Sequence, residues 1–274
     1  MEQASRAAGP ASPKVVVVVP TYEERENLPL LIGLLKGLDL PNLHVLVVDD
    51  NSPDGTGDVA DEIAAESAGT VTVLHRTEKD GLGRAYVAGM TRALAEGADV
   101  VVQMDADLSH PARALPLMVR TLLAGEEGLG GDAGLAVDEG LAGDAGPAVV
   151  LGSRYVAGGA LATEWAWHRR ALSAWANFYV NAVLRLGVRD ATAGFKAWRA
   201  TALQAIDLPS VRSNGYSFQV EMNYRAIRRG LRIVEVPITF EERANGESKL
   251  SLRVQAESAL TPWRLRFGRR GAGN

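Results

Sequence analysis

The residues with the clearest chemical potential lie at 100–111, VVVQMDADLSHP, where an apolar run ends in two carboxylates, Asp105 and Asp107. The run 100–104 reads as a strand, and Pro111 removes a backbone donor and breaks regular pairing. With one residue between them, alternation puts Asp105 and Asp107 on the same side of an extended backbone. Two carboxylates on a turn can hold one hard cation, Mg²⁺ or Mn²⁺, whose other positions go to waters and substrate phosphates, an arrangement that suits a sugar nucleotide. Acidic pairs after strands also solvate loops or cap helices, so the spacing alone leaves both readings open.

The elements that would position this pair repeat along the chain. Residues 15–19 are all Val, a run expected of a strand buried on both faces, and Pro20-Thr21-Tyr22 stops it. A helix is predicted over 23–38, with Leu28, Leu31, Ile32, Leu35 and Leu38 on one face. A second buried strand over 43–48 ends in Asp49-Asp50, and helix 57–67, strand 70–75, helix 84–96 and the strand at 100 continue the alternation. This pattern predicts an α/β fold with a mostly parallel sheet flanked by helices. Ligands of such sheets bind outside the carboxyl ends of the strands, which is where Tyr22, Glu24, Asp50, Asp105 and Asp107 collect. Each of Asp50 and Glu24 could instead serve its own helix as a cap or first-turn acid. There is no GxGxxG after the first strand and no GxxxxGK[ST], which removes the main support for dinucleotide and P-loop readings.

Composition narrows the class. The chain has 274 residues, 47% hydrophobic, enough for one large domain with a sizeable core. A net charge of −4 argues against a nucleic-acid partner, and the absence of cysteine excludes disulfides and thiolate metal sites. Residues 1–13 read as a disordered tail, 14–251 as the catalytic domain and 252–274 as a basic amphipathic segment rich in Arg. No apolar run reaches the roughly 18 residues of a bilayer span, and the first residues lack the apolar core of a signal peptide. Residues 127–137, EGLGGDAGLAV, are nearly repeated at 139–149 as EGLAGDAGPAV, and 125–147 reads as a low-complexity surface insertion. A helix over 164–186 carries Trp165, Trp167, Trp175, Phe178 and Tyr179 beside arginines, which suits either a membrane interface or packing on the sheet.

PTYEERENL, VVDDNSPDGT, KDGLGRAYVAGM, MDADLSHP, LGSRY, DATAGFKAWR, SNGYSFQVEM and RANGESKLS occur in that order. Together they resemble the inverting family 2 glycosyltransferases known as polyprenyl-phosphate (dolichol-phosphate) mannose synthases, from about residue 15 to 251. The resemblance implies a Rossmann-like GT-A fold with C-terminal interfacial helices, GDP-mannose as donor, a polyprenyl phosphate as acceptor, Mg²⁺ or Mn²⁺, and no nucleic acid. It places Pro20, Tyr22 and Glu24 on the nucleotide, Val48 and Asp50 on the base and ribose, and Asp105, Ala106 and Asp107 on the metal and diphosphate. Ser109, where some members carry a ligating Gln, is a third metal candidate. Arg243 and Lys249 match residues that close over the donor phosphates and, with Asp105 and Asp107, make up the catalytic set. Arg154, Arg169 and Ser173 match positions that grip the lipid phosphate, and spacing i, i+4 puts the last two on one helix face. The plainer alternative for Arg154 is a pair with an acid on a neighbouring strand. The implied location is peripheral, on the cytoplasmic side of the cell membrane, with a membrane-protein partner as one route of attachment. UDP-glucose transfer to the same kind of lipid, and a non-catalytic sugar-nucleotide or lipid-binding scaffold, are the rival readings.

Overall fold

The computed structural model describes residues 12–124, 146–162, 167–241 and 252–268, with side chains in the last segment from 259 onward. Arg243, Lys249, most of the 125–147 insertion and most of the 1–13 tail lie outside the described residues.

The Val run forms β1 (Val15–Thr21), paired in parallel with β2 (Leu43–Asp49) from Val15↔Leu43 to Thr21↔Asp49. A strand this apolar is stable only when both faces are covered, and the period-two alternation divides its side chains accordingly. Val15, Val17 and Val19 point to one side, where they meet α1 (Asn27–Lys36), α2 (Thr56–Ala65) and α4 (Leu115–Leu123). Val16 and Val18 point to the other, against α3 (Leu82–Ala95), α5 (Trp167–Leu184), α6 (Ala200–Ala205) and α7 (Gly215–Arg228). The remaining strands are β3 (Val71–His75), β4 (Val100–Gln103), β5 (Val149–Ser153), β7 (Lys196–Arg199) and β8 (Ile233–Pro237). Their order is β3-β2-β1-β4-β7-β5-β8, with β7 antiparallel to both neighbours and every other pairing parallel. The short strands β6 (Ala160–Leu161) and β9 (Thr239–Phe240) pair separately.

The first helix begins four residues later than its periodicity predicts. Glu23 takes φ 60°, and the N–H groups of Glu23, Glu24 and Arg25 donate to Ser52 Oγ (3.2 Å), Thr56 Oγ1 (3.0 Å) and Asp54 Oδ2 (3.3 Å). Side chains from the loop after β2 thus satisfy donors that a helix would leave unpaired, and the stretch stays open at the sheet's carboxyl edge. At the far end α8 (Leu252–Phe267) lies on α5, where Tyr179 donates to the Ala259 carbonyl at 2.6 Å.

Candidate active site

The end of β4 is anchored from inside. Gln103 is fully buried, accepting from Trp198 Nε1 at 2.7 Å and donating to Gln219 Oε1 at 3.2 Å, which ties β4 to β7 and α7. Beyond it the chain turns tightly. The Asp105 N–H donates to His110 Nδ1 (3.0 Å), and the His110 ring stacks on Phe195 with centroids 5.2 Å apart. Ser109 donates twice to Asp107 Oδ1, from its N–H (3.1 Å) and its hydroxyl (2.6 Å). Tyr86, buried in α3, donates to Asp105 Oδ1 at 2.6 Å. Burial first, and then the charge of Asp105, push the Tyr86 hydroxyl well above its usual pKa, so it remains a donor. Both carboxylates are therefore oriented before any ligand arrives.

These residues fit a hard divalent cation. Both donors are carboxylates at the strand's end, and the Asp105 side chain keeps 28% of its surface exposed. Among the described residues no third acid or histidine joins them as a ligand cluster, so other positions would fall to phosphate oxygens and water. Gly194 keeps the approach open, since a Cβ there would lie 3.2 Å from His110 Cε1 and 3.6 Å from Asp105 Oδ2. Ser109 is 1% exposed with its hydroxyl committed to Asp107, so its observed part is to orient that carboxylate. Ala106 is buried beneath the turn.

At the ends of β1 and β2 the two adjacent acids divide the work. Asp49 faces inward, accepting from Thr21 Oγ1 (3.1 Å), Ser52 Oγ (2.6 Å) and the Ser52 N–H (3.1 Å). Asp50 takes Arg76 at 2.5 Å; burial raises its carboxyl pKa and the guanidinium opposes the rise. The Tyr22 ring centroid lies 3.4 Å from Lys79 Nζ, Glu24 accepts from Asn27 Nδ2 at 2.7 Å, and Pro20 is buried within β1 in register with Val48, so the strand ends one residue beyond it and not at it. Val48, expected on the base and ribose, is wholly buried instead. It packs under α3, where a Cβ on Gly89 would fall 2.7 Å from its Cγ2, so its side chain backs the loop from the core.

The three residues assigned to the lipid phosphate meet in space. Arg154, Arg169 and Ser173 line one cavity of about 380 Å³, walled by Leu172, Trp175 and Tyr216 among others. Ser173 accepts from Tyr155 OH at 2.7 Å. Arg154 is paired as well, with Asp190 at 2.6 Å, so the ion pair and the place on the cavity wall hold together. The acid comes from the loop before β7 and not from a neighbouring strand. That loop runs from Asp190, against Arg154, to Gly194, against Asp105, and so joins the carboxylate pair to the cavity. Tyr86, Arg76 and His110 were not singled out by the residue pattern. Tyr86 and His110 lie inside the quoted stretches KDGLGRAYVAGM and MDADLSHP, while Arg76 carries no local signal.

Residues 16–133 match the model of glycosyl transferase family 2. A polyprenol monophosphomannose synthase of Mycolicibacterium smegmatis is 44% identical over 238 residues, 87% of this chain and 81% of that protein. An undecaprenyl-phosphate mannosyltransferase of Micrococcus luteus is 44% identical over 254 residues, covering 92% and 94%. Among solved structures, a mannosyltransferase of Pyrobaculum calidifontis in complex with GDP-mannose and Mn²⁺ superposes with TM-score 0.58 at 18% identity, over 96% of this chain and 66% of that one. Glucosyl-3-phosphoglycerate synthase of Mycobacterium tuberculosis with Mn²⁺ and UDP superposes with TM-score 0.62 at 19% identity, over 95% and 82%.

Proposed function

The chain belongs to glycosyl transferase family 2, alongside the polyprenyl-phosphate mannosyltransferases, and on that premise we propose that it transfers mannose from GDP-mannose to a polyprenyl phosphate with inversion. The 44% identity to two such enzymes over nearly the whole chain carries the reading. The cavity supports it, because an arginine-bearing apolar chamber beside a carboxylate pair suits a lipid monophosphate better than a water-soluble sugar acceptor.

In this reading Asp105 and Asp107 hold Mg²⁺ or Mn²⁺, which when bound supplies positive charge against the donor diphosphate. Pro20, Tyr22, Glu24 and Asp50 seat the nucleotide, with Arg76 fixing Asp50, and Arg243 and Lys249 close over the phosphates. Arg154, Arg169 and Ser173 receive the acceptor phosphate. Its anionic oxygen attacks the anomeric carbon as the bond to GDP breaks. That oxygen is already a nucleophile at neutral pH, so the protein's work is positioning and charge stabilisation rather than proton abstraction. Purified protein given radiolabelled GDP-mannose and polyprenyl phosphate should form a mannosylated lipid, and a chelator should abolish the product. Product from UDP-glucose and not from GDP-mannose would overturn the donor assignment.

No helix among the described residues is long and apolar enough to cross a membrane. We place the protein on the cytoplasmic face through α5 and α8, which expose Trp167, Trp175, Phe178, Trp263 and Phe267, of which Trp175 also lines the cavity, with Arg264 exposed on α8. Aromatic rings with a basic flank favour an anionic headgroup region. Each exposed aromatic transferred from water contributes about 1.5–3 kcal/mol. Trp175→Asp combined with Phe178→Asp should therefore weaken flotation with phosphatidylglycerol-containing vesicles by at least about tenfold. Unchanged flotation would move the docking face elsewhere.

A further inference from the structure

The hydrogen bonds of Arg154 run to one loop, while the Tyr155 and Phe240 ring centroids lie 5.5 Å and 5.4 Å from its Cζ. Its Nε donates to Asp190 Oδ2 (2.7 Å), its Nη2 to Asp190 Oδ1 (2.6 Å) and Thr192 Oγ1 (2.8 Å), and its backbone N–H to Asp190 Oδ2 (3.0 Å). Nη1 has no partner among the described residues and is not among the buried atoms left unpaired. Nη1 is thus the guanidinium nitrogen left without a hydrogen bond, on a residue that lines the cavity.

Asp190 is itself fully buried, and a second carboxylate sets its backbone. The N–H groups of Arg189 and Asp190 donate to Glu235 Oε2 (2.7 Å) and Oε1 (2.9 Å) on β8. Glu235 stands in register with Leu151 of β5, three residues before Arg154. The guanidinium plane is therefore referred, through Asp190 and then Glu235, to the sheet that carries Arg154.

We propose that Asp190, braced by Glu235, is a positioning residue for the acceptor: it fixes the Arg154 fork so that Nη1 meets the anionic oxygens of the lipid monophosphate. The inference rests on the acceptor reading above. An arginine with four rotatable bonds loses much of its binding energy to ordering, and a carboxylate that orders it beforehand removes that cost. The bidentate pair also offsets the buried charge of Arg154.

The test compares Arg154→Ala, Asp190→Asn, Asp190→Glu and the double variant Arg154→Ala/Asp190→Asn in the full chain, with polyprenyl phosphate and GDP-mannose. Asp190→Asn should raise the acceptor KM about tenfold to a hundredfold while GDP binding by calorimetry stays unchanged. Asp190→Glu should recover part of the loss. The double variant should be no worse in acceptor KM than Arg154→Ala alone, since Asp190 acts through Arg154. Multiplying effects in the double variant, or an acceptor KM that stays put in a folded Asp190→Asn, overturn the positioning role while the Arg154 assignment survives. An acceptor KM unmoved by Arg154→Ala removes the acceptor reading and the inference together. Where Asp190→Asn does not fold, Glu235→Gln serves: about a threefold or greater rise in acceptor KM supports the brace, and no change overturns it.

Discussion

Asp107→Asn is expected to lower transfer by about 10²- to 10³-fold, the loss typical of removing one group that stabilises developing charge. The asparagine is the informative replacement because Asp107 has two jobs. Its Oδ1 satisfies the N–H and hydroxyl of Ser109, both buried, and its negative charge suits it to the cation-ligand role proposed above. Alanine removes both functions, and the Ser109 donors left unpaired cost about 1–3 kcal/mol of stability. Asparagine keeps the acceptor for Ser109 and removes only the charge. Melting temperature near that of the parent, with transfer lost and partly regained at high Mn²⁺ or Mg²⁺, is the expected pattern. Near-normal turnover by folded Asp107→Asn at ordinary metal concentrations would sink the metal assignment.

Lys196→Met should stabilise the protein, by an amount that depends on pH. Lys196 is fully buried on β7, with its Nζ donating to the Gln219 carbonyl at 3.0 Å. Burial holds its pKa well below the ordinary lysine value, and the negative charge of Asp190 only partly opposes this. The unfolded chain keeps the proton up to about pH 10.4, whereas the folded chain has released it at a lower pH. Between the two values the unfolded state binds more protons, so stability falls as pH falls. Methionine, of similar length, removes that penalty. The gain over the parent should be small near pH 10 and grow by about 1.4 kcal/mol per pH unit on going down, until the folded pKa is reached. Urea unfolding at pH 9.5 and pH 7 measures it. A gain independent of pH, or a loss at both, would show that Lys196 is not a buried group strained by its charge.

The parts of this molecule legible from sequence are those governed by local pattern. A run of five valines can hardly be anything but a doubly covered strand, and each predicted strand end proved to lie at the sheet's carboxyl edge or close to it. What failed to show was decided across distance. The start of α1 was misplaced because the loop after β2 supplies acceptors to residues 23–25, and no periodicity within the helix records that. Asp49 and Asp50 are equivalent as text, and only the positions of Thr21, Ser52 and Arg76 separate the acid that braces the loop from the one paired with a guanidinium. Tyr86 reads as one more apolar position of α3 until the packing of that helix brings its hydroxyl to Asp105. For Arg154 the role implied by the resemblance and the plainer ion pair are not exclusive, since an arginine can hold a salt bridge and still line a cavity.

The antiparallel strand β7 has a further consequence, for the order in which the protein assembles. Strands β1 to β4 all lie within residues 15–103 and pair among themselves, so the half that bears the carboxylates can collapse as soon as that length has left the ribosome. The other half is joined to it by the pairing of β4 with β7, in which Val100 meets Arg199, a separation in sequence of about 100 residues. Contacts of such high order form late, because chain closure must precede them. β5 enters the sheet only against β7 and β8, and its register owes nothing to the segment that follows α4. Lengthening that connection therefore costs only about 0.6 kcal/mol per doubling. A lineage could let the stretch at 125–147 grow or shrink there without moving a single hydrogen bond of the sheet.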